Sequence, residues 1–130
     1  MDQKELTAFA KAIYEGNAAQ GFWENERNTG EMLMLIVSEL GECLEAHRKG
    51  RHAKLADYEA LLHSEDHKDK PEYRIAVFKN QIKDTFEDEL ADAVIRIFDM
   101  CGGLGIDIGK HIMYKLHYNS TREYKYGKKY

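Results

Sequence analysis

Proline and cysteine are scarce in this chain of 130 residues, with one of the first and two of the second. A single proline, Pro71, leaves room for long helices. No disulfide framework is needed at this length, and Cys43 and Cys101 both fall inside helical apolar patterns, which suits small buried thiols in a reducing cytosol better than a secreted scaffold. Long apolar runs are missing too: Met32 to Val37 is six residues, far short of a bilayer span. The start, MDQKELTAFAKAIYEG, has no apolar signal-peptide stretch, so the expectation is a cytoplasmic protein with no membrane contact. No glycine-rich phosphate loop is present, and no serine or cysteine stands in an evident nucleophile setting.

What is abundant is charge, in an uneven distribution. The 23 acids and 19 basic side chains leave a formal net charge of −4, which does not advertise a nucleic-acid partner. Acids concentrate around Glu39 to Glu45 and Glu87 to Asp92. The stretch from Tyr114 to Tyr130 holds five of the eight tyrosines and five basic side chains (Lys115, Arg122, Lys125, Lys128, Lys129) against Glu123 alone. An acidic centre with a basic, aromatic tail suits a metal and a phosphate, or simply a solvated tail.

Helical periodicity dominates, and the expected architecture is all-α, one domain over 1–130. It is a bundle of four main helices with an inserted excursion at 50–73 and an irregular tail at 124–130. Leu6, Phe9, Ala10 and Ile13 share one face of a first helix over about Gln3 to Glu15. After the loop GNAAQGFWENERNTG, Asn28 and Glu31 resemble a capping box, and a second helix runs from Thr29 or Gly30 to His47 or Arg48. The excursion is mostly charged, with a short helix near Leu55 to Leu62. A third helix opens at Pro71 and continues to Gly102, with a break near Asn80, and Asp107 caps a fourth over Ile108 to about Glu123. HSEDH, residues 63–67, is a near miss to a zinc-protease motif and is read as a solvated loop.

The acids carry the chemistry. At about 100° per residue, Leu33, Ile36, Val37, Leu40 and Leu44 form the expected core stripe of the second helix. Glu39 falls beside Met32, Leu35 and Ile36, and Glu42 one turn along. Glu45 lies on the polar side, where Lys49 can pair with it. On the third helix Glu89 sits in the apolar stripe of Phe78, Ile82, Phe86, Ala93 and Met100, with Asp92 one turn on, free to pair with Arg96 or to join the other acids. Burying ionised carboxylates costs several kcal/mol, roughly, without a partner. Two helices that each offer acid-x-x-acid on an inward face can gather four carboxylates around a hard cation, Mg²⁺ or Mn²⁺. No histidine stands three residues after a glutamate, which argues against a di-iron bundle. Lys115, Asn119 and Arg122 continue the stripe begun by Ile108 and Ile112. They either face the bundle, where they could hold phosphate, or snorkel at a fraying helix end. Gly41 is expected where a side chain would crowd a neighbouring helix.

Glu-x-x-Glu in SELGECLEA, Glu-x-x-Asp in DELADAVIRIFDMCGGLGID and the Lys, Asn and Arg of KLHYNSTR together resemble the MazG-like all-α nucleoside triphosphate pyrophosphohydrolases, closest to the dCTP pyrophosphatase branch. The resemblance covers roughly Gly21 to Gly50 and Asp84 to Glu123. It implies Mg²⁺-dependent cleavage of a nucleoside triphosphate between the α and β phosphates. Glu39, Glu42, Glu89 and Asp92 would be metal ligands and catalytic acids, and Lys115, Asn119 and Arg122 would be phosphate contacts. Trp23 would contact the base, or else anchor the core, and Asn28 would contact base or sugar. Forty-six residues between Glu42 and Glu89 exceed the family's usual gap, and the excess falls in 50–73 as a lid, an oligomer contact or a passive insertion. The alternatives are a phosphoribosyl-ATP pyrophosphatase of the same superfamily and a non-catalytic nucleic-acid module using the Lys- and Tyr-rich tail. Because the second and third helices are apolar on more than one side, a homodimer or homotetramer built through helix faces is expected.

Overall fold

A computed structural model describes residues 1–64 and 69–130, so most of HSEDH lies outside the described residues. Among the described residues the chain is all-helical, as expected, with six α-helices and no strand. In order these are α1 (Gln3–Ala19), α2 (Thr29–Arg48), α3 (Leu55–Leu62), α4 (Pro71–Gln81), α5 (Phe86–Gly103) and α6 (Ile108–Ser120), followed by a 3₁₀ turn at Tyr124–Gly127. The chain divides into two compact units, one of residues 1–28 and 95–130 and the other of residues 29–94, with the division falling inside α5.

In the first unit α1 packs on α6. Asp2 caps α1 in a full capping box with Glu5. Asp107 caps α6 by accepting the Lys110 N–H at 3.2 Å, and the same carboxylate takes the Thr7 hydroxyl at 2.7 Å. Thr7 in turn accepts the Gly109 N–H at 2.8 Å, which ties the two helices at one point. Gly109 is buried there, and only glycine fits because a Cβ would strike the Gln3 carbonyl oxygen.

In the second unit the described part of the excursion packs on its neighbours. α3 lies on α4, with Tyr58 edge-on to Phe78 at 6.0 Å and the Tyr73 hydroxyl donating to the Leu61 carbonyl at 3.1 Å. Its entry is pinned to the start of α5. The Phe86 N–H donates to the Arg51 carbonyl at 2.9 Å, the Ala53 N–H to Glu87 Oε2 at 2.8 Å, and His52 Nδ1 lies 3.0 Å from Glu87 Oε1.

The expected third helix is two helices. α4 ends at Gln81, Asp84 takes a left-handed φ of 63°, and Thr85 opens α5 by accepting the Asp88 N–H while Asp88 accepts that of Asp84. Thr85-x-x-Asp88 is a capping pattern legible in the sequence, and it places the break a few residues beyond Asn80.

The core stripe of α2 is corrected by the structure. The buried positions are Met32, Ile36, Glu39, Cys43 and Ala46. Of the expected stripe only Ile36 is buried, whereas Leu33, Val37, Leu40 and Leu44 are 48%, 53%, 48% and 49% exposed. Small Cys43 and Ala46 let another backbone come close: Cys43 Sγ reaches the Phe86 carbonyl at 3.5 Å. Gly41 is corrected as well, since a Cβ there would meet none of the described residues.

Candidate metal centre

The second unit brings α2 and α5 together antiparallel: Cys43 meets Phe86, Glu42 meets Glu89, and Glu39 lies with Glu89 and Asp92. The antiparallel register is what gathers the acids. An i, i+3 pair on each helix lies on one face, and reversing one helix sets the Glu39 turn against Asp92 and the Glu42 turn against Glu89. Glu39, Glu89 and Asp92 each offer an oxygen within 4.8 Å of the others. Glu39 and Glu89 are buried, 8% and 6% exposed, Asp92 is half-buried, and Glu42 is exposed.

Glu89 is the centre of this group. Burial, a hydrogen bond with Glu42 and the negative charges of Glu42, Asp92 and Glu39 push its carboxyl up to about 7. Its Oε2 is buried with no hydrogen-bond partner among the described residues. A buried acceptor left unmatched beside two other carboxylate oxygens is the arrangement a hard cation satisfies, and an all-oxygen donor set suits Mg²⁺ or Mn²⁺. Burial first, then the charges of Glu89 and Glu87, push the Cys43 thiol up, so this neighbour is a packing group rather than a nucleophile.

Asp84, Asp88 and Glu89 form a second group with oxygens within 4.8 Å. There Lys83 Nζ already sits 2.9 Å from Asp84 Oδ2, and Asp88 is engaged by the Asp84 N–H. Glu45 pairs with Lys49 at 3.1 Å, as expected of a surface acid.

The remaining expected site residues stand in the first unit. Arg122 donates to Asn119 Oδ1 at 3.4 Å and to the Tyr126 carbonyl at 3.2 Å, and its guanidinium lies 5.3 Å from the Tyr118 ring centre and 4.6 Å from that of Tyr126. Lys115 is exposed, with its ammonium 5.3 Å from the Tyr118 ring centre, so the two cations gather around Tyr118 and Tyr126.

Trp23 has the contacts of an anchor. Its indole N–H donates to Asp99 Oδ1 at 2.9 Å, Tyr14 meets its edge at 5.1 Å, and Arg27 lies 4.9 Å over its face while pairing with Asp99 Oδ2 at 3.1 Å. Gly103 leaves the space the ring fills. Asn28 is exposed. Asp99, 6% exposed, is not among the residues expected to matter; its one signal in the sequence is a lone acid in the apolar run IRIFDMC.

Among the described residues no helix is long and apolar enough to cross a membrane. No protein-family model, curated protein or solved structure matches the chain.

Proposed function

We propose that this protein is a Mg²⁺-dependent hydrolase of nucleoside triphosphates that cuts between the α and β phosphates, releasing a monophosphate and pyrophosphate. The observation that carries the reading is the buried, unpartnered Glu89 oxygen among the carboxylates of Glu39, Glu42 and Asp92. Bound there, a divalent cation would neutralise phosphate charge and acidify an attacking water. Glu39, Glu42, Glu89 and Asp92 are the residues that would hold it.

The protein's own contribution is positioning and proton transfer. Glu39 is fixed by burial on α2, and the antiparallel contact with α5 sets Glu89 and Asp92 beside it. One of the four acids would take the water's proton, at a carboxylate oxygen that the cation leaves free. Lys115, Asn119 and Arg122 are assigned to phosphate by their chemistry, an ammonium, an amide and a guanidinium in one short stretch of chain. Nucleotide-pool cleansing in a reducing cytoplasm fits two buried free thiols, Cys43 and Cys101. A phosphoribosyl-ATP substrate would use the same acids.

The test is to incubate the protein with Mg²⁺ and each common nucleoside and deoxynucleoside triphosphate and to separate the products by chromatography. Pyrophosphate with a monophosphate is the expected pair, and the best substrate names the branch. Glu39→Gln and Glu89→Gln should each abolish release while the helical signal is kept. Full activity in either variant would sink the assignment.

A further inference from the structure

The break between α4 and α5 gathers two acids that the proposed hydrolysis does not use, Asp84 and Asp88, beside one that it does, Glu89. Each offers an oxygen within 4.8 Å of the others, and all three belong to the second unit. The turn itself brings them together. Asp84 takes a left-handed φ of 63°, and its N–H donates to Asp88 Oδ2 at 3.0 Å, which folds the chain back so that the two carboxylates meet. Glu89 follows Asp88 in the first turn of α5.

A cation already stands at the edge of this group. Lys83 Nζ is 2.9 Å from Asp84 Oδ2, and the hydrogen bond and charge of Asp84, then the charges of Asp88 and Glu89, push the ammonium up. Its hydrogen bond goes to Asp84 alone, and with 48% of the side chain exposed the pair is a weak surface contact. Deeper in, Glu89 is 6% exposed and its Oε2 is buried with no hydrogen-bond partner among the described residues. A surface lysine leaves that oxygen unmatched, whereas a small divalent ion can draw it and both aspartates to one point.

We infer that Asp84, Asp88 and Glu89 form a second site for a hard divalent cation at the α4–α5 turn, with the Lys83 ammonium as the group that the ion displaces. Three carboxylates with no nitrogen or sulfur donor select Mg²⁺ or Mn²⁺ over zinc or iron. Burial falls from Glu89 through half-buried Asp88 to exposed Asp84, so the outer side of the ion keeps its waters, as Mg²⁺ prefers. A carboxylate has two oxygens and about four lone-pair sites, which lets Glu89 serve this ion and one among Glu39, Glu42 and Asp92 together. The ion acts as a brace, tying the α4–α5 turn to a carboxylate of the candidate metal centre. It stands on its own acids, whether or not that centre hydrolyses nucleotides.

Mn²⁺ alone is the probe, counted on the full chain by loss of its free-ion electron paramagnetic resonance signal. The wild type should bind two ions per chain. Asp84→Asn should bind one and keep its helical signal, since asparagine tolerates the left-handed backbone at this position. Glu39→Gln should remove the other ion. Lys83→Gln should tighten the weaker ion about threefold or more by removing its competitor, a reading that holds even where Asp84→Asn fails to fold. A wild type whose single ion is lost in Glu39→Gln and kept in Asp84→Asn overturns the second site and leaves the first. The opposite pattern supports the second site and removes the first. No bound Mn²⁺, two ions in a folded Asp84→Asn, or unchanged affinity in Lys83→Gln overturns the inference as well.

Discussion

Stability of the cation-free protein should fall as pH rises towards neutrality, and Glu89 should be the cause. Its carboxyl holds a proton up to about 7 in the folded chain, against an ordinary value of 4.5. Between those two values the folded chain binds a proton that the unfolded chain has released, so unfolding free energy drops as pH climbs. The stabilisation is complete below the ordinary value and gone once pH has passed through the folded one. Each pH unit between the two values is worth about 1.4 kcal/mol, so the whole interval would amount to roughly 3 kcal/mol in a sealed interior. Glu42, hydrogen-bonded to Glu89, is exposed to water, which lowers the expected loss to about 2 kcal/mol.

Glu89→Gln isolates this contribution because it keeps the shape and removes the charge. In chelator, urea unfolding of wild type and variant should give similar stabilities near pH 4.5, with the variant ahead by about 2 kcal/mol at pH 8. Added Mg²⁺ should reverse the order at pH 8, since only the wild type has the full acid set, and a ligand at a hundred times its Kd adds about 2.7 kcal/mol. Parallel pH profiles for the two proteins in chelator would refute the placement of Glu89 among buried acids. Equal stabilisation of both by Mg²⁺ would refute the cation site.

The elements of this fold are legible where local chemistry marks them. Thr29 and Arg48 bound α2 because a Gly- and Asn-rich loop precedes it and Gly50 follows, and Leu55–Leu62 stands out as an apolar stretch inside a charged excursion. Glu39 is legible as an inward acid because it shares an arc with Met32 and Ile36, and both are buried. The choice between the two apolar arcs of α2 is not. Hydropathy favours the leucine arc, but close approach to α5 selects the arc carrying Cys43 and Ala46, where small side chains admit a neighbouring backbone. One chain's sequence records that a face is apolar without recording what covers it. The pairing of Trp23 with Asp99, 76 residues apart, is a property of tertiary packing, so the sequence alone leaves the anchor and base-contact readings of Trp23 level.

Three more perturbations probe the framework around the site. Gly109→Ala places a methyl group against the Gln3 carbonyl and should lower stability by about 2 kcal/mol or more, read as a fall in the thermal midpoint. Asp99→Ala strands the Trp23 indole N–H and the Arg27 guanidinium and should cost about 2–4 kcal/mol. Trp23 is the only tryptophan, so its emission should shift to the red in the same variant while still folded; an unchanged spectrum would contradict the anchor. Glu87 tests how the excursion is held. The Ala53 N–H and then His52 keep its carboxyl below the usual value, so the hold is present above pH 4.5 and is lost as pH falls through the lowered folded value. Because the contact fastens 51–53 to the start of α5, its loss should show first as faster amide exchange at Ala53, before the helices unfold. Glu87→Gln weakens the acceptor at every pH, so Ala53 exchange, corrected for its intrinsic pH dependence, should lose its acid step in that variant. An acid step that survives Glu87→Gln would place the fastening elsewhere, leaving the Arg51 carbonyl and the Phe86 N–H as the contact that holds the excursion against α5.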